Sequence, residues 1–496
     1  MVGSIRTKTT PQSTKHLIFL RQLYMAGSLI SSLTSSFARL SSLYFAKGRG
    51  AACSANYIRC YRPSFKIRYI SLYPQSRLLR LSFSSNAVAR GGLSRSLDRE
   101  DLVVLGIETS CDDTAAAVVT GNGEVLGQVV SSQEDLLSRY GGVSPKMAEE
   151  AHSLVIDEVV QKTLQSSKLT EKDLTGVAVT IGPGLSLCLR VGVTKARRVA
   201  GRFNLPIVGV HHMEAHALVA RLVDRDLQFP FLALLISGGH NLLILARDVG
   251  HYVQLGTTID DAIGEAYDKT ARWLGLDMSK GGGPALEELA RDGDSNSLKF
   301  KIPMRQYKDC NFSYAGLKTQ VRLAIESRNV CVGNNPISSA SFRDRKSRAD
   351  IAASFQRVAV LHLEERCERA IEWAKEMEPS INCLVVSGGV ASNQYVRSRL
   401  SYVVEKNHIR LVCPPPKLCT DNGVMVAWTG IEHFLLGRFD PPPPASEPED
   451  HVYDIRPRWP LGEEYLQGKS EARSLKRARI HPSLTSIIKA STQPKI

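Results

Sequence analysis

From Leu102 the chain alternates short apolar runs with longer stretches whose apolar residues recur at helical spacing. Residues 102–107 form one apolar run, a polar turn follows, and 115–119 are apolar again, which predicts strand, turn, strand. Across 149–164, Ala151, Val155 and Val159 recur four apart and share a helical face. Strands are predicted at 176–181 and 206–210. A second strand–turn–strand unit spans 231–236 and 242–246 around Ser237-Gly238-Gly239-His240, and a strand at 383–386 ends in Ser387-Gly388-Gly389. Helical patterns fill about 258–274, 314–327, 349–377 and 420–435.

Alternating strands and helices imply layered α/β architecture. The two similar strand–turn–strand units suggest two related lobes, about 98–230 and 231–440, each presenting a turn to a shared cleft. Residues 328–348 are polar and contain Gly-Asn-Asn-Pro, so a surface loop inserted between helices is expected there. Four consecutive prolines, Pro441 to Pro444, exclude helix over 440–450 and predict an extended segment. Residues 461–496 read as a basic tail.

Composition adds a correction to the charge. The hydrophobic fraction of 43% is that of a globular protein, and the formal charge is +14. Residues 1–97 hold 15 Lys and Arg and no acid, and subtracting these from +14 leaves −1 for residues 98–496. The basicity is therefore a property of the N-terminus and does not argue for nucleic-acid binding. An Arg- and Ser-rich, acid-free start reads as an organelle transit peptide. Import into the mitochondrial matrix is expected, with the chloroplast as the alternative. The apolar stretch 17–33 is interrupted by Arg21 and rich in Ser, a poor membrane span. The 10 cysteines contain no C-x-x-C pair, which argues against a zinc ribbon and gives no disulfide framework. A reducing compartment suits them.

Three groups of residues carry chemistry. In His211-His212-Met213-Glu214-Ala215-His216, His212 and His216 lie four apart, so on a helix they share a face and can grip one metal ion. Glu214 sits off that face, unlike the base of an H-E-x-x-H peptidase. A buried polar helix start would give the same pair, and His211 reads as structural. Asp421, in Thr420-Asp421-Asn422-Gly423, is either a third ligand or an N-cap. Cys419 reads as a packed residue.

Glycine turns form the second group: Ser237-Gly238-Gly239, Gly281-Gly282-Gly283-Pro284 and Ser387-Gly388-Gly389. Backbone N–H groups at such turns cradle phosphate oxygens, and two of the three follow strands directly. None is a Walker A or a G-x-G-x-x-G. The third group is acidic: Asp112 and Asp113 in the first turn, Asp260-Asp261, and Glu265 with Asp268, for which surface ion pairing is the alternative.

Together these stretches resemble the TsaD/YgjD family, the tRNA adenosine threonylcarbamoyltransferases formerly described as glycoproteases. The matching segments run from Gly106-Ile-Glu-Thr-Ser-Cys-Asp-Asp-Thr114 through His212-Met-Glu-Ala-His216, Ile236-Ser-Gly-Gly-His240 and Asp260 to Thr270. They continue with Phe312 to Thr319, Ser387 to Asn393 and Cys419 to Gly423, in family order over about 102–460. The leader is similar to that of the mitochondrial branch. Ala215 departs from the family's glycine, and Met278 to Lys280 lengthen the turn before Pro284.

The resemblance implies the two-lobed fold of the actin, hexokinase and heat-shock chaperone superfamily. It implies one divalent metal, of iron or zinc type, on His212, His216 and Asp421. It implies an adenylate held by Leu235, Ile236, Ser237, Gly238, Gly239, Asp268, Gly283, Glu287 and Asn393. The implied reaction moves a threonylcarbamoyl group from threonylcarbamoyl-AMP, made by a separate synthetase, to N6 of adenosine 37 in tRNAs reading ANN codons. Asp112 is expected to orient or deprotonate the attacking amine, and a homodimer without a membrane span is expected. Arg190, Lys195, Arg197 and Arg198 are a candidate tRNA surface or simply a solvated helix face. A metallopeptidase, an ATPase or kinase of the same superfamily, and a non-catalytic scaffold are the competing readings.

Overall fold

The computed structural model describes residues 98–133, 144–279, 281–328, 337–448 and 453–468. The expected leader and the tail beyond 468 lie outside the described residues. The first sheet contains β1 (Val103–Glu108), β2 (Asp113–Thr120), β3 (Val125–Ser132), β4 (Gly176–Gly182) and β5 (Ile207–His211), in the order β3-β2-β1-β4-β5. Helices α1 (Pro145–Ser167), α2 (Ser186–Phe203) and α3 (His212–Val223) connect or follow these strands.

The second sheet contains β6 (Phe231–Ile236), β7 (Asn241–Asp248), β8 (His251–Thr257), β9 (Cys383–Ser387), β10 (Arg410–Val412) and β11 (Glu463–Glu464). Its order is β10-β9-β6-β7-β8-β11. Five of these strands repeat the first sheet. As β1 pairs antiparallel with β2 and parallel with β4, so β6 pairs antiparallel with β7 and parallel with β9. The outer strands follow suit, β3 and β8 antiparallel, β5 and β10 parallel. This duplication is the two-lobed actin- and hexokinase-like α/β architecture expected above.

The wholly apolar run of β6 is explained by cover on both faces. Leu232, Leu234 and Ile236 enter one core cluster, while Phe231, Ala233 and Leu235 enter the other. Around the first of these clusters stand α4 (Ile263–Trp273), α5 (Gly282–Arg291), α6 (Ala315–Ser327), α7 (Phe342–Met377) and α8 (Gln394–Lys406).

Three expected boundaries are corrected. The second lobe does not run unbroken to 440, because α9 (Gly423–Leu435) returns to pack on β1, β2, β4, β5 and α3. Its approach requires Gly106, where a Cβ would strike the backbone of Gly423 and Ala427. Within the expected loop 328–348, residues 329–336 lie outside the described residues, and 342–348 are the first turns of α7. Ser341 caps that helix through its Oγ on Asp344 N, and buried Arg348 pairs with Asp344 at 2.7 Å. Polar residues there cover a helix start rather than a loop. The tail also begins later than 461: Leu461 is buried, and Glu463 and Glu464 pair with Val253 and Gln254 of β8.

Between α9 and β11 the described residues 440–448 contain no helix, as expected, residues 449–452 lie outside the described residues, and 440–448 and 453–459 serve as a strap. Asp440 pairs with Ile207, Arg197 bonds Glu447, and Arg456 N donates to Ile181 O at 2.7 Å. Trp459 then packs against His211, ring centroids 4.5 Å apart and planes tilted by 49°. No described helix is long and apolar enough to cross a membrane.

A candidate metal centre between two glycine turns

The carboxyl ends of parallel strands are where open α/β sheets place ligands. Here β5 ends at His211 and α3 begins at His212, so His212 and His216 share the first turns of α3 at that edge. His211 is the N-cap: its Nδ1 accepts from Met213 N at 3.1 Å and Glu214 N at 3.4 Å, and its Nε2 meets Trp459 O at 2.9 Å. Burial, the largest influence, brings its pKa down to about 4, which keeps Nδ1 an acceptor. The structural reading of His211 holds, and the strap fixes its tautomer.

His212, His216 and Asp421 offer ligand atoms that all lie within 4.8 Å of one another. Nε2 of His216 is 3.0 Å from Asp421 Oδ1, and Nε2 of His212 is 3.6 Å from the same oxygen. The cap near Asp421 is Asn422, whose Oδ1 accepts from Met425 N at 2.9 Å. Asp421 is thereby free of the capping role weighed for it. Cys419 is outside the cluster, with its Sγ on Pro414 O at 3.3 Å.

Sequence reasoning missed Glu108. Fully buried at the end of β1, it holds His212 Nδ1 through Oε2 at 3.1 Å. It also accepts from Ser110 N and Thr180 Oγ1, each at 2.6 Å. A carboxylate behind a ligating imidazole fixes the ring and raises the basicity of the nitrogen facing the metal. Burial opposes charge on His212, but Asp421 and Glu108 outweigh it and lift its pKa to about 9. Asp421, despite burial, is held by His212 and His216 well below the usual carboxylate range. Two imidazoles and the ionised Asp421 carboxylate meet at one point, with the Glu108 carboxylate behind His212, and this two-His, one-carboxylate donor set suits a divalent cation of iron or zinc type.

Asp112 lies in the turn between β1 and β2, within electrostatic reach of Asp421 and His152. Burial and then Asp421 push its pKa up, the direction a proton acceptor needs. Buried His152 pins this turn, with Nδ1 2.7 Å from Thr114 Oγ1 and Nε2 3.1 Å from Cys111 O. Glu214 points elsewhere: it accepts from Tyr252 Oη at 2.7 Å and Gly250 N at 2.9 Å and pairs with His433 at 3.0 Å. The peptidase reading therefore lacks its base.

The adenylate candidates gather on the second lobe. Because β6 and β9 are parallel neighbours, with Leu235 opposite Ser387, the turns 237–239 and 387–389 leave the same sheet edge side by side. His240 closes the first turn and lies within electrostatic reach of His212, His216 and Asp421. Leu235 and Ile236 are fully buried in the core, so only their backbone is available to a ligand. Glu287 Oε1 accepts from Gln394 N at 2.9 Å, and Asn393 Oδ1 accepts from Val396 N at 2.9 Å, which places both at the start of α8. Asp268 accepts from the N–H groups of Gly282 and Gly283, although burial moves its pKa up overall.

The glycines divide into two kinds. Gly388 has φ +96° and touches the Ile236 carbonyl, and Gly282 touches Asp268, so the fold itself demands them. Gly238, Gly239, Gly283 and Gly389 have no strained φ, and a Cβ on any of them would meet nothing within 4 Å. The protein alone does not need these four bare, whereas a ligand pressed against the backbone does.

The fold and the site thus define an α/β protein of duplicated sheet topology with a metal-ligand triad beside open glycine turns. The family described as TsaD, tRNA N6-adenosine threonylcarbamoyltransferase, matches residues 124–428. A probable mitochondrial tRNA N6-adenosine threonylcarbamoyltransferase of Arabidopsis thaliana is 69% identical over 431 residues, covering 87% of this chain and 90% of that protein. The mitochondrial protein of that name in Xenopus tropicalis is 44% identical, covering 72% and 89%. The Rhizobium etli protein is also 44% identical, covering 72% and 94%. The chain belongs to the tRNA N6-adenosine threonylcarbamoyltransferase family, on its mitochondrial branch.

Proposed function

We propose that the chain transfers the threonylcarbamoyl group of threonylcarbamoyl-AMP to N6 of adenosine 37 in mitochondrial tRNAs that read ANN codons. Family membership makes it an acyltransferase of tRNA modification that works in mitochondria. The observation that carries the finer reading is the convergence of His212, His216 and Asp421 beside glycine turns bare for no reason of fold.

An acyl-adenylate arrives activated, so the protein needs to supply orientation and charge rather than a nucleophile. A divalent ion of iron or zinc type on His212, His216 and Asp421 would polarise an oxygen of the donor. Gly238, Gly239 and Gly389 would present N–H groups and open space to the AMP portion, and Gly283, whose N–H is held by Asp268, would present open space alone. Glu287 and Asn393 would bound it at the start of α8, and Asp268 would hold the turn of Gly282 and Gly283. N6 of the adenosine attacks the carbonyl carbon, the C–N bond forms, and the carbonyl–oxygen bond to AMP breaks. Asp112, its pKa raised, takes the proton that N6 gives up. A separate synthetase would supply the donor, and a homodimer belongs to the same reading.

The test supplies purified threonylcarbamoyl-AMP directly to full-length, metal-loaded protein with unmodified tRNA. Modified nucleoside without added ATP is the expected result. Product that appears only with ATP hydrolysis by this chain would favour the ATPase reading instead.

A further inference from the structure

Residues 299–308 carry Lys299, Lys301, Arg305 and Lys308 and no acid, within a body, 98–496, whose charge sums to −1. This segment has no regular helix or strand, yet it is held firmly from behind by α7. Arg366, fully buried, donates from Nη1 to the carbonyls of Tyr307 at 2.8 Å and Asp309 at 2.9 Å. Its Nη2 donates to Met304 O at 2.8 Å, and Arg369 donates to Asp309 O at 2.7 Å. Lys301 N is fixed to Gln320 Oε1 at 2.7 Å. Four backbone carbonyl bonds from two arginines turn an irregular stretch into a fixed ribbon.

A cavity of about 590 Å³ opens against the ribbon, and its lining includes Lys301, Arg305, Gln306 and Arg357 but no acid. Two connections tie it to the cleft. Beyond Lys308 the chain reaches the loop before α4, where Phe312 pairs with Thr258 and Tyr314 N donates to Asp260 Oδ1 at 2.9 Å, and α4 in turn abuts the 237–239 turn at Gly264. Arg357 follows Gln356, whose Oε1 accepts from Asn393 Nδ2 at 3.4 Å, at the start of α8. The basic cluster of α2 is different. Lys195 pairs with Asp157 at 2.6 Å, Arg197 bonds Glu447, and the cavity beside them includes Glu149. Acids already offset that cluster.

We propose that the ribbon 299–308 and the cavity against it, with Lys301, Arg305 and Arg357, bind the sugar–phosphate backbone of the RNA substrate beside the cleft. The proposal rests on the reading of the chain as a tRNA-modifying transferase and names its RNA contact. Among the described residues no carboxylate pairs with Lys301 or Arg305, and cations left unpaired favour polyanions through release of the counterions held by the phosphates. A surface fixed in advance loses little freedom when the RNA docks.

Full-length protein and the double variant Lys301→Glu/Arg305→Glu are titrated with fluorescent tRNA across a salt series. Lys162→Glu, on an exposed part of α1, serves as the surface control, and melting temperatures confirm folding. The expected result is a tRNA Kd raised about tenfold or more at ~100 mM salt, with the log–log salt slope reduced by about 2. The neutral pair Lys301→Gln/Arg305→Gln shifts Kd in the same direction by less. The KM of the adenylate donor and kcat at saturating tRNA stay at wild-type values. An unchanged tRNA Kd and salt slope in a folded double variant overturns the proposal. So does a raised donor KM with unchanged tRNA affinity, which would make the cavity a nucleotide-phosphate site. Wild-type protein that binds tRNA through the ribbon but forms no product would instead count against the transferase reading alone.

Discussion

Replacing Glu108 by glutamine keeps the size of a fully buried side chain and removes its charge. The carboxylate now accepts from Ser110 N and Thr180 Oγ1, both at 2.6 Å, and faces His212 Nδ1 at 3.1 Å. A glutamine has one acceptor oxygen for these partners and turns its amide donor toward at least one of them. With the amide nitrogen turned to His212, Nδ1 keeps only Ser110 Oγ at 3.2 Å as an acceptor, and the aim of Nε2 at the shared point with His216 and Asp421 is loosened. Loss of such support behind a metal ligand typically costs about 10- to 100-fold in metal affinity, or roughly 1.4–2.7 kcal/mol. The assay is competition with a chromophoric chelator for zinc or ferrous iron, run beside thermal melts with and without metal. Because a bound metal stabilises in proportion to the logarithm of its affinity, the metal-induced stabilisation shrinks by the same amount. A folded Glu108→Gln protein that binds metal as tightly as wild type would refute this role for Glu108.

Three further outcomes follow from the same geometry. Gly238→Ala and Gly283→Ala fill space that is empty in the protein, so melting temperatures stay unchanged while the donor KM rises severalfold; unchanged KM in both would remove the cradle from the account. His211→Ala removes the cap of α3 and the tie to Trp459 and lowers unfolding free energy by about 1 kcal/mol, whereas His211→Asn, which retains an acceptor, recovers part of it; equal denaturation midpoints for all three proteins would contradict this. His362 is fully buried, and burial brings its pKa down from 6.5 to about 3. The unfolded chain therefore binds a proton that the native chain does not between those values, and stability falls as pH drops below 6.5, by about 2 kcal/mol at pH 5 from this group. Denaturation curves should show a shallower pH dependence in His362→Leu, and an identical slope would contradict the assignment.

The sequence made most strands and the larger helices legible because their apolar periodicity was strong, β6 above all. It concealed the return of α9 to the first sheet, since an apolar helix such as Val424 to Phe434 carries no mark of which lobe it covers. It concealed the start of α7 because Arg348 reads as solvated, while the fold buries it against Leu274 O at 2.9 Å. Strands β3 and β8 are half-exposed and edge-like, with weak patterns, and were not anticipated. At the site, the i,i+4 histidines were visible as a pair, but their third ligand was not distinguishable from a cap until Asn422 was seen doing the capping. Glu108 had a signal that spacing alone could not use: a carboxylate closing the apolar run Val103 to Ile107, where burial requires partners. Which glycines are bare for a ligand and which for the fold depends on contacts distant in sequence, such as Gly388 with Ile236, and no local pattern carries that.

The most direct measurement counts bound metal and modified nucleoside in the same samples of full-length wild type, His216→Ala and Asp421→Ala, supplied with threonylcarbamoyl-AMP and unmodified mitochondrial tRNA. The account predicts about one metal ion per wild-type chain and modified adenosine in the tRNA, with both lost together in the folded variants. Full modification by variants that no longer hold metal would contradict the assignment of the His212, His216 and Asp421 cluster as the centre of the reaction.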